Sequence, residues 1–360
     1  MKKKLIALVV GAAAVAPALA VADVTVYGRA HISADYLDDG ADYSETNLSS
    51  NSSRLGFKGS HDINPTMTAF FQIEQQINFT TGGSDSGSDF ATRDTFVGLK
   101  GDNWGAIQAG RFDSPFKKAR GPANLFGDQV GDMRNLTRTR TRISDGDVGD
   151  GSSRFDERYD NTVQYTTPNF GGFNAVLAYS MYEGQSAVQD HDSDAFSMAL
   201  NYGAGPLSAS LAYEQVEEDV GGGERDALRA AAAYSLTDAF KVVGFYQTSD
   251  YDGSDDPVVV DLNSNDVYGL GGEYKLTDAT ALKAMWMTLD SDADNADADM
   301  WVVGVEHKLD KAVRVYANYA MIDNDDRRAL APWAQARTAT PDGAYGEEAS
   351  GFSVGLRYDF

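Results

Sequence analysis

The chain has 360 residues, with 54 Asp plus Glu against 30 Lys plus Arg, a net charge of −24 and no cysteine. So acidic a chain excludes nucleic acid as an expected partner, because that binding rests on cations set against phosphates. Disulfide staples and cysteine-based metal sites are excluded too, and beyond the N-terminal leader no segment approaches the eighteen consecutive apolar residues of a spanning helix.

The leader itself reads Met1-Lys2-Lys3-Lys4, an apolar run over 5–16, then Pro17-Ala18-Leu19-Ala20-Val21-Ala22. A charged start, an apolar middle and small residues at the end make a secretory signal peptide, expected over 1–22. The run is shorter than the ~20 residues that an anchoring helix needs. Cleavage fits after Ala20 or Ala22, and strand-like sequence from Asp23 favours Ala22. Losing Lys2, Lys3 and Lys4 takes the net charge from −24 to −27. The remainder, 23–360, is expected to be one exported domain.

Residues 23–36 alternate. Val24, Val26, Ala30, Ile32, Ala34 and Tyr36 share one face; Thr25, Tyr27, Arg29, His31, Ser33 and Asp35 share the other. The last ten residues do the same, with Phe352, Val354, Leu356, Tyr358 and Phe360 against Ser353, Gly355, Arg357 and Asp359. The pattern recurs through the chain, as in Phe173/Ala175/Leu177/Tyr179 and Val313/Val315/Ala317/Tyr319. A period of two places alternate side chains on opposite faces of a sheet. Segments of about 8–12 residues suit tilted strands that cross a bilayer, and the apolar rows end in aromatic residues, as an interfacial girdle requires.

The connections alternate in length. Seven are tight, at 61–65, 101–103, 168–172, 203–206, 235–238, 275–278 and 308–311; eight are long and polar, near 37–52, 77–91, 112–157, 181–194, 214–226, 248–265, 289–299 and 322–349. Fifteen connections join sixteen strands, with the two termini on the short-turn side. A soluble sandwich or solenoid gives no reason for this rhythm, whereas an antiparallel transmembrane β-barrel does. A bilayer forbids open edges, so the sheet must close, and sixteen strands leave a water-filled bore. The third long connection, 112–157, holds no convincing strand and is rich in Gly, Asp and Arg; structureless stretches of that length are usually functional.

Several motifs resemble the general diffusion porins of Gram-negative bacteria. They are Asp23-Val24-Thr25-Val26-Tyr27-Gly28-Arg29, Ser53-Arg54-Leu55-Gly56-Phe57-Lys58-Gly59, Phe96-Val97-Gly98-Leu99-Lys100, Gly110-Arg111, Asp160-Asn161-Thr162-Val163-Gln164-Tyr165 and the end Gly355-Leu356-Arg357-Tyr358-Asp359-Phe360. The resemblance implies an all-β, sixteen-stranded, trimeric outer-membrane barrel whose long third loop folds into the lumen, passing small hydrophilic solutes and ions by passive diffusion without a cofactor. Lipopolysaccharide and the barrel-assembly machinery are implied partners, the latter through Tyr358 and Phe360. A solute-specific channel and a blocked structural or adhesive barrel are the alternatives.

In such porins basic wall residues oppose acids on the inward loop, and charge across a narrow gap tunes selectivity. The resemblance places the wall cluster at Arg29, Arg54, Arg93 and Arg158. Alternation independently turns Arg29 and Arg54 inward; Arg93 fits less well, since Asp94 would then share the outward row of Phe96 and should sit at an interface or subunit contact. The candidate loop acids are Asp113, Asp128 and Asp132. The family's Pro-Glu-Phe-Gly-Gly tip is replaced here by Asn124-Leu125-Phe126-Gly127-Asp128, which leaves open the acid that faces the wall. Arg134, Arg138, Arg140 and Arg142 either project into the bore, favouring anions, or fasten the loop to Asp145, Asp147, Asp150, Asp156 and Glu157. Fastening is the preferred reading, and acidic outer loops that gather cations at the mouth tilt the expected selectivity toward cations.

Other patterns fall short of a site. Asp290-Ser291-Asp292-Ala293-Asp294 begins like a calcium loop, but Asn295 stands where Gly is needed and Trp301 where Glu is needed. The four histidines are scattered and give no zinc spacing, and no Ser-His-Asp grouping suggests acyl transfer. No enzymatic activity and no metal are expected.

Overall fold

The structure is a computed structural model that describes residues 23–360 apart from 83–89, 139–154, 187–188, 219–223, 253–254, 334–336, 339–340 and 342. The expected leader, with Arg140, Arg142, Asp145, Asp147 and Asp150, lies outside the described residues. In chain order the strands are β1 (Asp23–Asp38), β2 (Ser44–Ser50), β3 (Arg54–Asn64), β4 (Met67–Gln76), β5 (Thr95–Gly101), β6 (Gly105–Asp113), β7 (Arg158–Thr166), β8 (Phe173–Ser186), β9 (Gln189–Ala204), β10 (Leu207–Glu218), β11 (Glu224–Ser235), β12 (Phe240–Asp252), β13 (Asn265–Lys275), β14 (Thr280–Ser291), β15 (Ala298–Lys308), β16 (Val313–Asn324) and β17 (Ala349–Asp359). Three short helices are α1 (Pro115–Ala119), α2 (Arg134–Thr137) and α3 (Pro257–Asn263).

Every neighbouring pair is antiparallel. β1 pairs with β3 over Asp23 to Arg29 and with β2 over Ile32 to Asp38, so β2 and β3 are one stave broken at Asn51, Ser52 and Ser53. On its other edge β1 pairs with β17, from Arg29 opposite Asp359 to Asp38 opposite Ser350, and the ring closes. Counted this way the barrel has sixteen staves. The final residue joins the seam: Gly28 donates its amide to the Phe360 carbonyl at 2.8 Å, and Phe360 donates back to Gly28 at 3.1 Å.

The exposure pattern inverts that of a soluble sheet. Ile32, Tyr36, Phe352, Val354 and Leu356 are exposed, while His31, Ser33, Asp35 and Ser353 are buried. Apolar rows face lipid and polar rows face inward, as alternation predicts for a membrane barrel.

Six of the seven tight turns fall between strands where the sequence puts them; the first, expected at 61–65, lies at Pro65 and Thr66, because β3 runs on to Asn64. Three use one device: the Thr237 hydroxyl accepts the amides of Ala239 and Phe240, Thr277 those of Ala279 and Thr280, and the Asp310 carboxylate those of Ala312 and Val313. A side-chain oxygen that satisfies turn amides fixes the turn and with it the register.

Two expectations change. The connections expected near 37–52, 181–194 and 214–226 are largely strand, since β1 runs to Asp38 and β2 spans Ser44–Ser50, β8 runs to Ser186, β9 starts at Gln189, β10 runs to Glu218 and β11 starts at Glu224. These stretches are rich in Asp, Glu, Gln and Ser, so the sequence shows no clear hydrophobic period there. The inward rows are also not uniformly polar. Val243, Phe245, Val267, Met285, Met287, Met300, Val302 and Ile322 are buried together with residues of the third and eighth long connections.

Leu270, at mid-β13, is 67 % exposed. Leu270→Arg is expected to cost about 2–4 kcal/mol of folding free energy in phospholipid vesicles. An unchanged denaturant midpoint would remove this row from the lipid face.

Candidate functional site

The third long connection leaves the wall at a bulge. Pairing between β6 and β7 slips between Gly110 and Phe112, and Gly110 has φ +148°, which a side chain rarely adopts. A bulge bends a strand away from its ladder. Ser114 then caps α1, its hydroxyl accepting the Lys117 amide at 3.1 Å, with Pro115 in the first turn.

From there the segment is held by the sheet face opposite the exposed apolar rows. Phe116, Ala119 and Phe155 pack on Ala199, Ala212 and Ala227, where small wall residues make room. Leu125, Phe126, Val130, Met133 and Leu136 join the apolar patch of β12–β16. The firmest tie is Arg229 of β11. Its guanidinium meets Asp156 at 2.5 Å with both side chains fully buried. It also donates to the Phe116 carbonyl at 2.9 Å, lies 3.9 Å from the centre of the Phe116 ring, and bonds Gln247. Gln247 in turn donates to the Thr137 carbonyl at 2.9 Å, and Thr137 donates to Asp156 at 3.0 Å. Burial opposes ionisation of Asp156, but Arg229 and Arg120 outweigh it and hold the carboxyl well below the usual range.

The basic wall lies on β1–β7. Arg29 reaches Asp359 at 2.7 Å and, across to the loop, Asp128 at 3.1 Å. Arg93 meets Glu74 at 2.6 Å, and Arg54 approaches the same carboxylate at 3.8 Å. Arg158 meets Asp94 and Asp113, each at 2.6 Å. Arg29, Arg54, Arg93, Asp94 and Asp113 line one cleft of about 400 Å³ with Lys58, Glu74 and Asp359. Arg158 reaches it through Asp94 and Asp113.

The three loop acids sit differently. Asp113, the last residue of β6, also binds Lys117 at 2.8 Å. Asp128 stands between Arg29 and Arg134, the latter at 2.8 Å, with φ +61°. Asp132 is fully buried; it holds Arg134 at 2.5 Å and accepts the Asp128 amide at 2.7 Å. Burial disfavours the Asp128 carboxylate, yet Arg134, Arg54 and Arg29 keep it well below the usual range. Lys117 is pulled down to about 8 by burial, which Asp113 partly offsets. Arg134 and Arg138 bind acids of the loop itself, Arg138 pairing with Glu157.

Asp94 does not share the outward row. It precedes the first residue of β5, so alternation does not govern it, and it accepts from Arg158 and from the Asp113 amide. Glu74, Lys58, Asp359 and Arg229 were not singled out in the sequence as site residues, although parity could have found all four; Asp156, expected there to fasten the arginines at 134–142, pairs instead with Arg229 and Arg120. Arg54 and Lys58 share a row opposite Gln76 and Gln72, with Glu74 between; Asp359 faces Arg29; and Arg229 stands among inward alanines.

The family profile that describes Gram-negative porins matches residues 6–327. The chain belongs to that family. Outer membrane porin protein 32 of Delftia acidovorans is 32 % identical over the whole of both chains, and an outer membrane porin protein of Bordetella pertussis is 26 % identical over 90 % of this chain and 86 % of the relative. Among solved structures, an anion-selective porin from Comamonas acidovorans superposes with a TM-score of 0.78 at 25 % identity, covering 94 % of this chain and all of that one. The Salmonella typhi OmpF structure shares the fold at 15 % identity, with a TM-score of 0.67 and coverage of 94 % and 98 %. This porin is thus an outer-membrane channel for passive diffusion, and a channel rather than an enzyme.

Removing one member of a buried ion pair costs about 3–5 kcal/mol. Arg229→Met is expected to place that cost on the loop, raising hydrogen exchange over residues 114–138 while the strands keep their protection. Equal protection of the loop in the variant would show that the pair does not anchor it.

Proposed function

We propose that residues 114–138 and 155–157 lie across the lumen and form the waist of the channel with the arginine wall. Arg29, Arg54, Arg93 and Arg158 are the basic side, Asp113 and Asp128 the facing acids, and Asp132 the brace that sets Arg134 behind Asp128. The observation that carries this reading is the 3.1 Å contact of Arg29 with Asp128, which joins wall and loop. Deleting residues 121–149 is expected to raise single-channel conductance, and an unchanged conductance would sink the waist.

The waist prefers anions in this reading, against the tilt of the net charge. Each acid there is held by a closer cation: Glu74 by Arg93, Asp94 by Arg158, Asp113 by Lys117 and Arg158, Asp128 by Arg29 and Arg134. Arg54 makes no closer ion pair than the 3.8 Å approach to Glu74, although its charge also acts on Asp128. Among the described residues the Lys58 ammonium has no carboxylate partner; it lies 5.0 Å from the Tyr27 ring. Unspent positive charge in a narrow gap attracts anions. The anion-selective relative supports the same sign. Under a salt gradient the reversal potential is expected on the anion side, and Arg54→Gln with Lys58→Gln moves it toward cations. A wild-type reversal on the cation side would overturn the assignment. Saturable flux of one solute would favour a specific channel, and absence of current a blocked barrel.

Lys117 adds a pH dependence. With its value near 8, raising the pH from 7 to about 9.5 removes one positive charge from the waist, so the reversal potential shifts toward cations. Lys117→Met abolishes the step. The stability sign follows from the same depression: between about 8 and the ordinary 10.5 the unfolded chain holds a proton that the folded one has released, so this group favours folding more as pH rises. A reversal potential flat across that range would remove Lys117 from the permeation path.

Three copies are proposed to associate. β5, β6 and β7 have 7, 9 and 9 residues, at or below the ~9–11 that a tilted strand needs to cross a bilayer. This low sector of wall suits protein rather than lipid, and a Vibrio cholerae OmpT of the same fold occurs in a trimer form. Unheated electrophoresis after crosslinking checks the count. Lipopolysaccharide is proposed to surround the exposed aromatic rows. Tyr358 and Phe360, both exposed with rings 5.5 Å apart, are proposed as the signal that the assembly machinery reads.

A further inference from the structure

We propose that the eighth long connection, through its described residues 325–333, 337–338, 341 and 343–348, is the clamp that positions the third, with Trp333 as its positioning residue. The inference rests on the waist reading above and assigns what holds Asp128 in place.

Trp333 is fully buried although it belongs to a connection at the rim. Its indole nitrogen donates to the Pro341 carbonyl at 2.7 Å, which fixes the ring. A side chain added at Gly351 of β17 would meet Val130 at 3.2 Å, Leu37 at 3.3 Å and Trp333 at 3.4 Å. Third connection, wall and eighth connection therefore converge over one glycine. Next to this junction Gly131 donates its amide to the Pro332 carbonyl at 2.7 Å. Gly131 has φ +85°, and a Cβ there would collide with the Val302 side chain, so chain path and close approach both require glycine. Val130 and Gly131 follow Asp128 by two and three residues. The eighth connection thus grips the third immediately beside the acid that touches Arg29.

The grip is itself fastened at both ends. Arg328, almost fully buried, donates to the Ala296 carbonyl at 2.6 Å and to Asn265 at 3.2 Å. Asn324 holds the Leu330 and Glu347 carbonyls at 3.0 and 2.9 Å. Further along, Arg337 pairs with Asp35 of β1, both side chains fully buried. A rim loop that only shielded the mouth would need neither a buried indole nor a buried ion pair, each of which orders the chain at an entropic cost.

The test records single channels of Trp333→Ala, Trp333→Phe and Asp128→Asn in planar bilayers under a salt gradient. Trp333→Ala is expected to raise conductance and to shift the reversal potential further toward anions, because Asp128 leaves Arg29 uncovered. Trp333→Phe restores both values. In an Asp128→Asn channel, Trp333→Ala is expected to add no further shift, since coupled residues are not additive. Folded Trp333→Ala channels with wild-type conductance and reversal would overturn the clamp, as would a full extra shift in the Asp128→Asn background. Should the alanine variant fold poorly, Trp333→Leu asks the same question with less cavity. The waist reading fails separately, through unchanged conductance after deletion of residues 121–149.

Discussion

The arrangement depends first on one buried ion pair, Arg229 with Asp156. A charge removed from water without a partner is very costly, so neither side chain can leave while the other stays. The contacts of Arg229 gather the start of the third connection through Phe116, its middle through Thr137 by way of Gln247, and its end through Asp156. Closing a long excursion costs entropy that grows only slowly with its length. One satisfied charge cluster therefore ties both described arms of the connection, on either side of 139–154, to a single wall residue.

That anchor divides the inner wall. From β9 to β16 the third connection covers apolar or small side chains, which would be unfavourable against open water. From β1 to β7 the inward rows carry Arg29, Arg54, Lys58, Glu74 and Gln72, and the cleft lies there. The barrel thus has two hydrophobic environments, lipid outside and a packed patch inside, and a polar sector between loop and wall. The proposed waist falls in the sector that the patch does not occupy.

The sequence made the barrel legible because lipid imposes a strict period of two and turns impose their own chemistry. Arg29 and Arg54 were legible for the same reason. The packed inner patch was not: Val243, Phe245, Met285 and Met287 read locally like any outward row, and only the covering segment tells the two faces apart. Nor could the facing acid be chosen. Asp128 and Asp132 lie four residues apart with the same chemistry, and their different surroundings come from positive φ at Asp128 and Gly131 together with the grip of Pro332. The longer ends of β8, β9 and β10 escaped because their acidic and polar sequence carries no period of two in apolar residues.

The acidic balance of the chain and the positive sign proposed for its waist are compatible once distance is considered. At physiological salt a charge is screened over about 8 Å. Acids at the rim raise the cation concentration in the mouth but act weakly at a waist farther below. There a permeating ion meets side chains at contact range, in a gap with low-dielectric walls where charges are felt strongly. Counting residues over the whole surface weights every charge alike; permeation weights them by proximity to the path. Two poorly compensated cations, Arg54 and Lys58, can then outweigh a large excess of carboxylates elsewhere. The same weighting explains why Arg134 and Arg138, although basic and close by, contribute little: Asp128, Asp132 and Glu157 already neutralise them.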